Sequence, residues 1–195
     1  MSTRLRIFMT GVGGQGTLTA TNLLAQAILD CGINVTAGEI HGMAQRGGVV
    51  ESALLIGMAS PKIGYGEADI ILGFEPLETL RALPYLKPGG TVLSSTEYIP
   101  PLSVCTGKTE NIPFETIKEK VEACAGKAYY LPCQALGIEA GAPQSGNIAL
   151  LGALCATGCI PLKPEELAET IKSVMKPKIA DINLKALELG VKAIS

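Results

Sequence analysis

The run Leu5–Thr10, LRIFMT, passes directly into Gly11-Val12-Gly13-Gly14-Gln15-Gly16 and then into Thr17–Cys31, TLTATNLLAQAILDC. An apolar run that ends in glycines reads as a buried strand. The segment after the glycines reads as a helix. Ala20, Leu24, Ala27 and Cys31 fall on one face, and Gly32 sits where a C-cap belongs. Gly11, Gly13 and Gly16 fit G-x-G-x-x-G in the required context of strand before and helix after. Glycine allows the sharp turn and close backbone approach, and a helix start offers free N–H groups to an anion. A tight turn that holds no ligand is the plain alternative.

Outward from this turn, strands and helices alternate. Strands are expected at Ile33–Ala37, Val49–Ile56, Asp69–Phe74, Thr91–Ser94 and Ala128–Leu131. Pro76 opens a helix over Leu77–Leu86 at the position proline prefers, and Lys87-Pro88-Gly89-Gly90 reads as a tight turn. Glu97–Lys108 reads as loop. Further helices are expected at Phe114–Ala125, Gly146–Thr157, Pro164–Met175 and Ile179–Ile194. The Gly146–Thr157 segment lacks charge, so it should be buried on most sides. This alternation predicts an α/β fold, Rossmann-like and three-layered, with a mostly parallel sheet and helices on both faces. No linker divides the chain, so residues 1–195 are expected to form one domain. In such sheets ligands bind beyond the carboxyl ends of the strands, here Gly11–Gly16, Gly38–Gly48, Glu75, Ser94–Ser95 and Pro132–Gln134, where the polar and glycine-rich residues of this sequence collect.

Composition excludes several classes. Apolar residues make up 47% and charged residues 17%, which is consistent with surface buried against something else. A net charge of −2 supplies no basic field for nucleic acid or an anionic membrane, and Trp is absent. The uncharged stretches Ile7–Leu29 and Ala140–Leu162 are broken by polar residues and glycines, or too short, to span a bilayer. No signal-peptide pattern opens the chain, so a cytoplasmic protein is expected. The six cysteines contain no C-x-x-C pair and read as small buried hydrophobes in a reducing compartment. No zinc or iron–sulfur spacing is present, so no metal site is expected in this chain.

The most informative stretch is Gly38-Glu39-Ile40-His41-Gly42-Met43-Ala44-Gln45-Arg46-Gly47-Gly48. It sets a carboxylate, the only histidine, an amide and a guanidinium between glycines. Constrained polar loops are often placed for function. Arg46 can hold a carboxylate or phosphate in bidentate fashion, or pair with Glu39. Glu39 is also where a ribose-reading acid would fall, but it opens a loop instead of ending a strand, which weakens a nicotinamide reading.

Read together, Gly11–Gly16, Gly38–Gly48, Phe74-Glu75-Pro76-Leu77-Glu78 and Gly146-Asn147 resemble the gamma-type subunits of 2-oxoacid:ferredoxin oxidoreductases. The wording GEIHGMAQRGG is most similar to the small (beta) subunits of the indolepyruvate branch. The resemblance runs from about Ile7 to Leu154. It implies a fold like domain III of pyruvate:ferredoxin oxidoreductase. It also implies thiamine-dependent oxidative decarboxylation of a 2-oxo acid, an arylpyruvate in this branch, to an acyl-coenzyme A, with electrons passed to ferredoxin. Thiamine diphosphate, magnesium and [4Fe-4S] clusters are then expected on a large partner subunit, with ferredoxin reached through the complex. This chain would bind no cofactor alone, carry no catalytic residue and be inactive by itself, with coenzyme A as co-substrate.

On that resemblance Gly11, Gly13, Gly14, Gln15, Gly16, Glu39, His41, Gln45, Arg46, Gly47, Glu75 and Asn147 form a ligand-binding or partner-facing cleft. Several have simpler readings: Glu75 as a helix-start residue, Asn147 and Ser145 as N-caps, the loop as a docking element. Two other functions stay open. One is a stand-alone Rossmann-type enzyme using NAD(P) or flavin, with Glu39 on the ribose. The other is a non-catalytic assembly subunit. An apolar surface normally covered by the partner could also drive a homodimer of the isolated chain.

Overall fold

Residues 4–41, 48–60 and 62–194 are described by the computed structural model. β1 (Leu5–Val12) leads through the glycine turn into α1 (Thr17–Asp30). β2 (Val35–His41) and β3 (Val49–Ile56) follow, then β4 (Ala68–Gly73), α2 (Pro76–Ala82) and, after a single 3₁₀ turn, β5 (Leu86–Ser95). A one-turn helix α3 (Leu102–Cys105) lies in the long segment before α4 (Phe114–Cys124). β6 (Lys127–Leu131) is followed by α5 (Cys133–Ala140), α6 (Gly146–Ala156), α7 (Pro164–Val174) and α8 (Pro177–Lys192).

The strands form one six-stranded sheet in the order β2-β3-β1-β4-β5-β6. Five run parallel. β3 alone is opposed, pairing antiparallel with both β1 and β2. Side chains alternate across the sheet as strand geometry requires. Ile7, Met9, Ile70, Leu72 and Leu93 face the larger core, with α1 and α5 to α8. Phe8, Ile71 and Val92 face the smaller core, with α2 and α4. Helices therefore cover both faces, as the alternating pattern predicts.

The departures have local reasons. β2 begins and ends later than Ile33–Ala37 and takes in residues 38–41, expected as loop. β3 pairs along its length, from Val35↔Ile56 to His41↔Val50. An edge strand can turn polar residues to water, so its composition imitates a loop. The turn at Lys87–Gly90 falls within β5 as an irregularity: Ala68 pairs with Leu86 but Ile70 with Thr91, and Gly89 has φ 74°. α5 was not expected. Its glycine, Gly137, packs so closely that a Cβ there would press on the backbone of Ala142, Pro143 and Gly146. That glycine hides the helix in the sequence and permits the contact in the fold.

The cysteine expectation holds for Cys133 and Cys155, which are buried, but Cys31, Cys105 and Cys124 are exposed thiols. Among the described residues no helix is long and apolar enough to cross a membrane.

α6 is buried almost throughout because α8 crosses it at backbone distance. A Cβ at Gly190 would overlap the Ala149 carbonyl, and one at Gly152 would overlap that of Leu187. Each Gly→Ala change should push the helices apart. Gly190→Ala is expected to cost about 1–3 kcal/mol, the usual range for overpacking, read from the denaturant midpoint.

Candidate functional site

Strand order reverses between β1 and β4: the chain leaves β1 toward β2 and returns to place β4 on the other side. A crevice forms at the carboxyl ends where such a reversal occurs. Here it lies between the glycine turn and the segments leaving β4, β5 and β6. A cavity of about 280 Å³ is lined by Gly13, Gly14, Gln15, Phe74, Ser95, Glu97, Ile99, Cys133, Gln134, Pro143, Gln144, Gly146 and Asn147. A second, of about 660 Å³, shares Gly14, Gln15, Gln144 and Asn147 with it and runs on past Gly16 and Thr19 to Ile148, Val174, Lys176 and Ile179.

The turn is fixed from several sides. The Gln15 side-chain oxygen accepts from the Val12 N–H at 2.7 Å, and its NH₂ donates to the Phe74 carbonyl at 2.8 Å. Gly13 N–H donates to the Gly48 carbonyl at 2.8 Å, holding the start of β3 against the turn. Asn147 Nδ2 donates to the Gly16 carbonyl at 3.2 Å, a link across 131 residues between α6 and the start of α1. Gly16 has φ 77° and a Cβ there would strike Asn147, so only glycine fits on both counts. Gly14 has φ 107° with open space above it. Gly11 is buried under the turn, against Gln15, Thr17 and Phe74.

Three helices start directly after strands at this edge: α1, α2 and α5. α2 is capped by Glu75, which is fully buried and accepts from the Glu78 N–H at 2.8 Å and the Ile99 N–H at 3.3 Å. α5 is served by Glu97, which accepts from the Ala135 N–H at 3.0 Å and from the Ser95 hydroxyl at 2.7 Å. α1 has no side-chain cap and no acidic residue in its first turn. Two helix starts thus carry the protein's own carboxylates, and the start beside the glycine turn does not.

Burial pushes the Glu75 carboxyl above its ordinary value; the Glu78 and Ile99 N–H groups oppose the shift, and the neighbouring Glu78 carboxylate adds to it. Burial also raises Glu78, against the pull of Arg81 at 2.6 Å. Burial drives the Cys133 thiol up to about 12, with Glu97 adding to the rise, so it stays protonated at neutral pH.

The sequence-predicted residues separate into groups. Gly13, Gly14, Gln15, Gly16 and Asn147 come together on the cleft wall, with Gly11 beneath. Both ends of the Gln15 amide are bonded within the turn. Glu75 is a buried N-cap, matching its simpler reading. Asn147 bonds back to the glycine turn from inside α6; Ser145 holds the N-cap position but makes no side-chain capping bond. Glu39 and His41 lie on the edge strand β2, opposite Ser52 and Val50. Since β3 lies between β2 and β1, Glu39 stands about 10 Å from the strand that feeds the glycine turn. A ribose-reading acid belongs on the strand adjoining β1, so this placement removes Glu39 from that role. Gln45, Arg46 and Gly47 lie outside the described residues. Ser95, Cys133 and Gln134, at strand ends read from the sequence, line the smaller cavity. Unexpected members of the cleft are Glu97, Ile99, Gln144 and Lys176. Nothing local marked Glu97 or Lys176.

The sequence fits the profile of a family described as "Pyruvate ferredoxin/flavodoxin oxidoreductase" over residues 6–193. The chain belongs to this family. It is 44% identical to the indolepyruvate oxidoreductase subunit IorB of Pyrococcus horikoshii, over 96% of this chain and 94% of the relative. It is 30% identical to the pyruvate/ketoisovalerate oxidoreductases common subunit gamma of Thermococcus kodakarensis, over 94% of each chain. The fold matches the gamma subunit of a keto/oxoacid ferredoxin oxidoreductase from Geobacter sulfurreducens, with TM-score 0.70 and 21% identity over 97% of this chain and 98% of that one. It also matches a part of the 2-oxoglutarate:ferredoxin oxidoreductase of Magnetococcus marinus, with TM-score 0.72 and 19% identity, covering all of this chain and 31% of that one. At these identities the two structures support the fold of the family member. Among the described residues no cluster of three or more His, Cys, Asp or Glu could hold a metal ion.

Two outcomes follow for the site. Because the folded-state pKa of Glu75 lies above the ordinary 4.5, its stabilising contribution is full below that value and is lost as pH rises through the raised pKa. The Tm of the wild type relative to Glu75→Gln should therefore be highest near pH 4 and fall toward pH 7, checked by thermal melts across that range. Gly16→Ala should destabilise by about 1–3 kcal/mol through strain and the Asn147 clash, measured by denaturant unfolding.

Proposed function

We propose that this chain is the small subunit of an indolepyruvate-type 2-oxoacid:ferredoxin oxidoreductase and acts as one gamma-type domain within that complex. The observation that carries the reading is the near full-length identity to the IorB subunit of Pyrococcus horikoshii. Thiamine diphosphate, magnesium and [4Fe-4S] clusters belong on the large partner in this reading. When bound there, they supply decarboxylation and electron transfer toward ferredoxin. This chain's own share is one wall of the site where the acyl group meets coenzyme A.

The cleft suits such a co-substrate. It joins an uncapped helix start, a glycine turn open above Gly14 and an apolar groove, so phosphate and hydrocarbon could both be accommodated. Gly13, Gly14 and Asn147 would touch the ligand. Gln15 and Glu75 would hold the wall in place, through the turn and α2. Glu39 and His41 would contribute from the edge strand β2; Gln45, Arg46 and Gly47, outside the described residues, are assigned to the cleft by the family resemblance alone.

An assembly role has its own observation. Ile99 borders the smaller cavity at 41% exposure, and Leu102, three residues on, is 78% exposed. That apolar rim fits coverage by the large subunit.

The test is reconstitution with the large subunit. The complex should reduce ferredoxin with an arylpyruvate and coenzyme A, while this chain alone should not. Gln144→Trp, an exposed position lining both cavities, should raise the KM for coenzyme A about tenfold or more with little change in kcat. Arg46→Ala should do the same. A complex indifferent to both changes would leave only the assembly role. Turnover of a nicotinamide or flavin substrate by the isolated chain would overturn the proposal.

A further inference from the structure

Helices cover the sheet unevenly. α2 packs on β1, β4 and β5, and α4 on β5 and β6. β2 and β3 pack on α1, which lies on the opposite face. Their α2-side face carries Val49, Glu51 and Ala53 of β3, with Gly38 of β2 paired to Ala53. Gly38 and Ala53 have little bulk, so the face is low beside α2. Its border is aromatic. Tyr85 stacks on Phe8 with ring centroids 4.2 Å apart, and Tyr65 packs at an angle on Tyr85 at 4.9 Å. Tyr65 itself is 76% exposed.

Two carboxylates meet at this border. Glu51 is half-buried and makes no hydrogen bond or ion pair among the described residues. Glu78 of α2 is almost wholly buried; its Oε1 takes Arg81 at 2.6 Å, and its Oε2 is enclosed without a partner. Burial raises both carboxyls, and the Glu51 charge raises Glu78 further. Among the described residues Arg81 is the one cation acting on Glu51, Glu75 and Glu78. Three partly desolvated acids with one cation are short of positive charge. The Tyr85 hydroxyl is raised by burial, then by Glu51 and Tyr65, which places the exposed ring and the unpaired carboxylate together. Such a pair is a seat for a guanidinium or ammonium group, which gains an ion pair and a ring contact at once.

Resting on the complex described under the proposed function, we propose that this face is a docking site for the large subunit, and that the segment seated there carries an arginine or lysine between apolar neighbours. The cation pairs with Glu51 beside the Tyr65 ring. The apolar neighbours cover Val49 and the low surface at Gly38 and Ala53.

The experiment is calorimetric titration of the large subunit with this chain, at low and at high salt. Glu51→Arg should weaken association about tenfold or more, and Tyr65→Ser by a smaller factor. Added salt should weaken the wild type more than Glu51→Gln, because that variant has lost the charge that salt screens. Glu51→Gln also removes the repulsion on Glu78, so the isolated variant should melt no lower than the wild type, which separates docking from folding. Association unchanged in both Glu51→Arg and Tyr65→Ser would overturn the docking site and leave the complex standing. A wild type that does not associate would overturn both. A homodimer of the isolated chain that Glu51→Arg breaks, with association to the large subunit unchanged, would make the occupant a second copy and overturn the proposal.

Discussion

The side-chain amide of Gln15 is the bond on which the rest of the site depends. Its oxygen accepts a hydrogen bond from the Val12 N–H and its NH₂ donates one to the Phe74 carbonyl, so one planar group ties the end of β1 to the end of β4. Those two strands are where the order of the sheet reverses. β1 and β4 pair as far as Thr10 and Gly73, and the segments beyond lead to helices on opposite faces of the sheet, α1 and α2. The amide closes that gap at the base. Gly11 makes room for it, because a Cβ there would press on the same oxygen.

The second tie comes from the far end of the chain. Asn147 reaches the Gly16 carbonyl from α6, and α6 is held by the backbone-level crossing of α8. The glycine turn is therefore braced by helices placed more than a hundred residues later. This explains the small residues of α6 and α8. Gly152 and Gly190 permit the approach that sets the position of Asn147, and so the width of the cleft.

Charge follows the same economy of partners. Glu75 and Glu97 fill the starts of α2 and α5, and among the described residues no carboxylate fills the start of α1. That asymmetry leaves the start beside the glycine turn as the most electropositive of the three helix starts at this edge. It also accounts for Glu75, which the sequence offered both as a cleft residue and as a helix-start residue. Its burial and its two N–H partners make it the latter.

Much of the fold was legible from local pattern. The apolar runs of β1, β3 and β4, the Gly32 stop of α1, and the Pro76 start of α2 each act within a few residues, so sequence alone determined them. Family membership was legible too, because the glycine turn, the 38–48 loop and Phe74–Glu78 together resemble the family, whose profile matches residues 6–193. Three things were decided by tertiary structure. The antiparallel insertion of β3 depends on pairing between strands, which periodicity cannot report, and it is what moves Glu39 away from β1. The helix α5 depends on a close contact at Gly137, a residue that locally argues against helix. The membership of Glu97 and Lys176 in one trough depends on bringing the exit of β5 and the start of α8 to opposite ends of the same cleft, and charge at a distance of eighty residues leaves no mark in a local pattern.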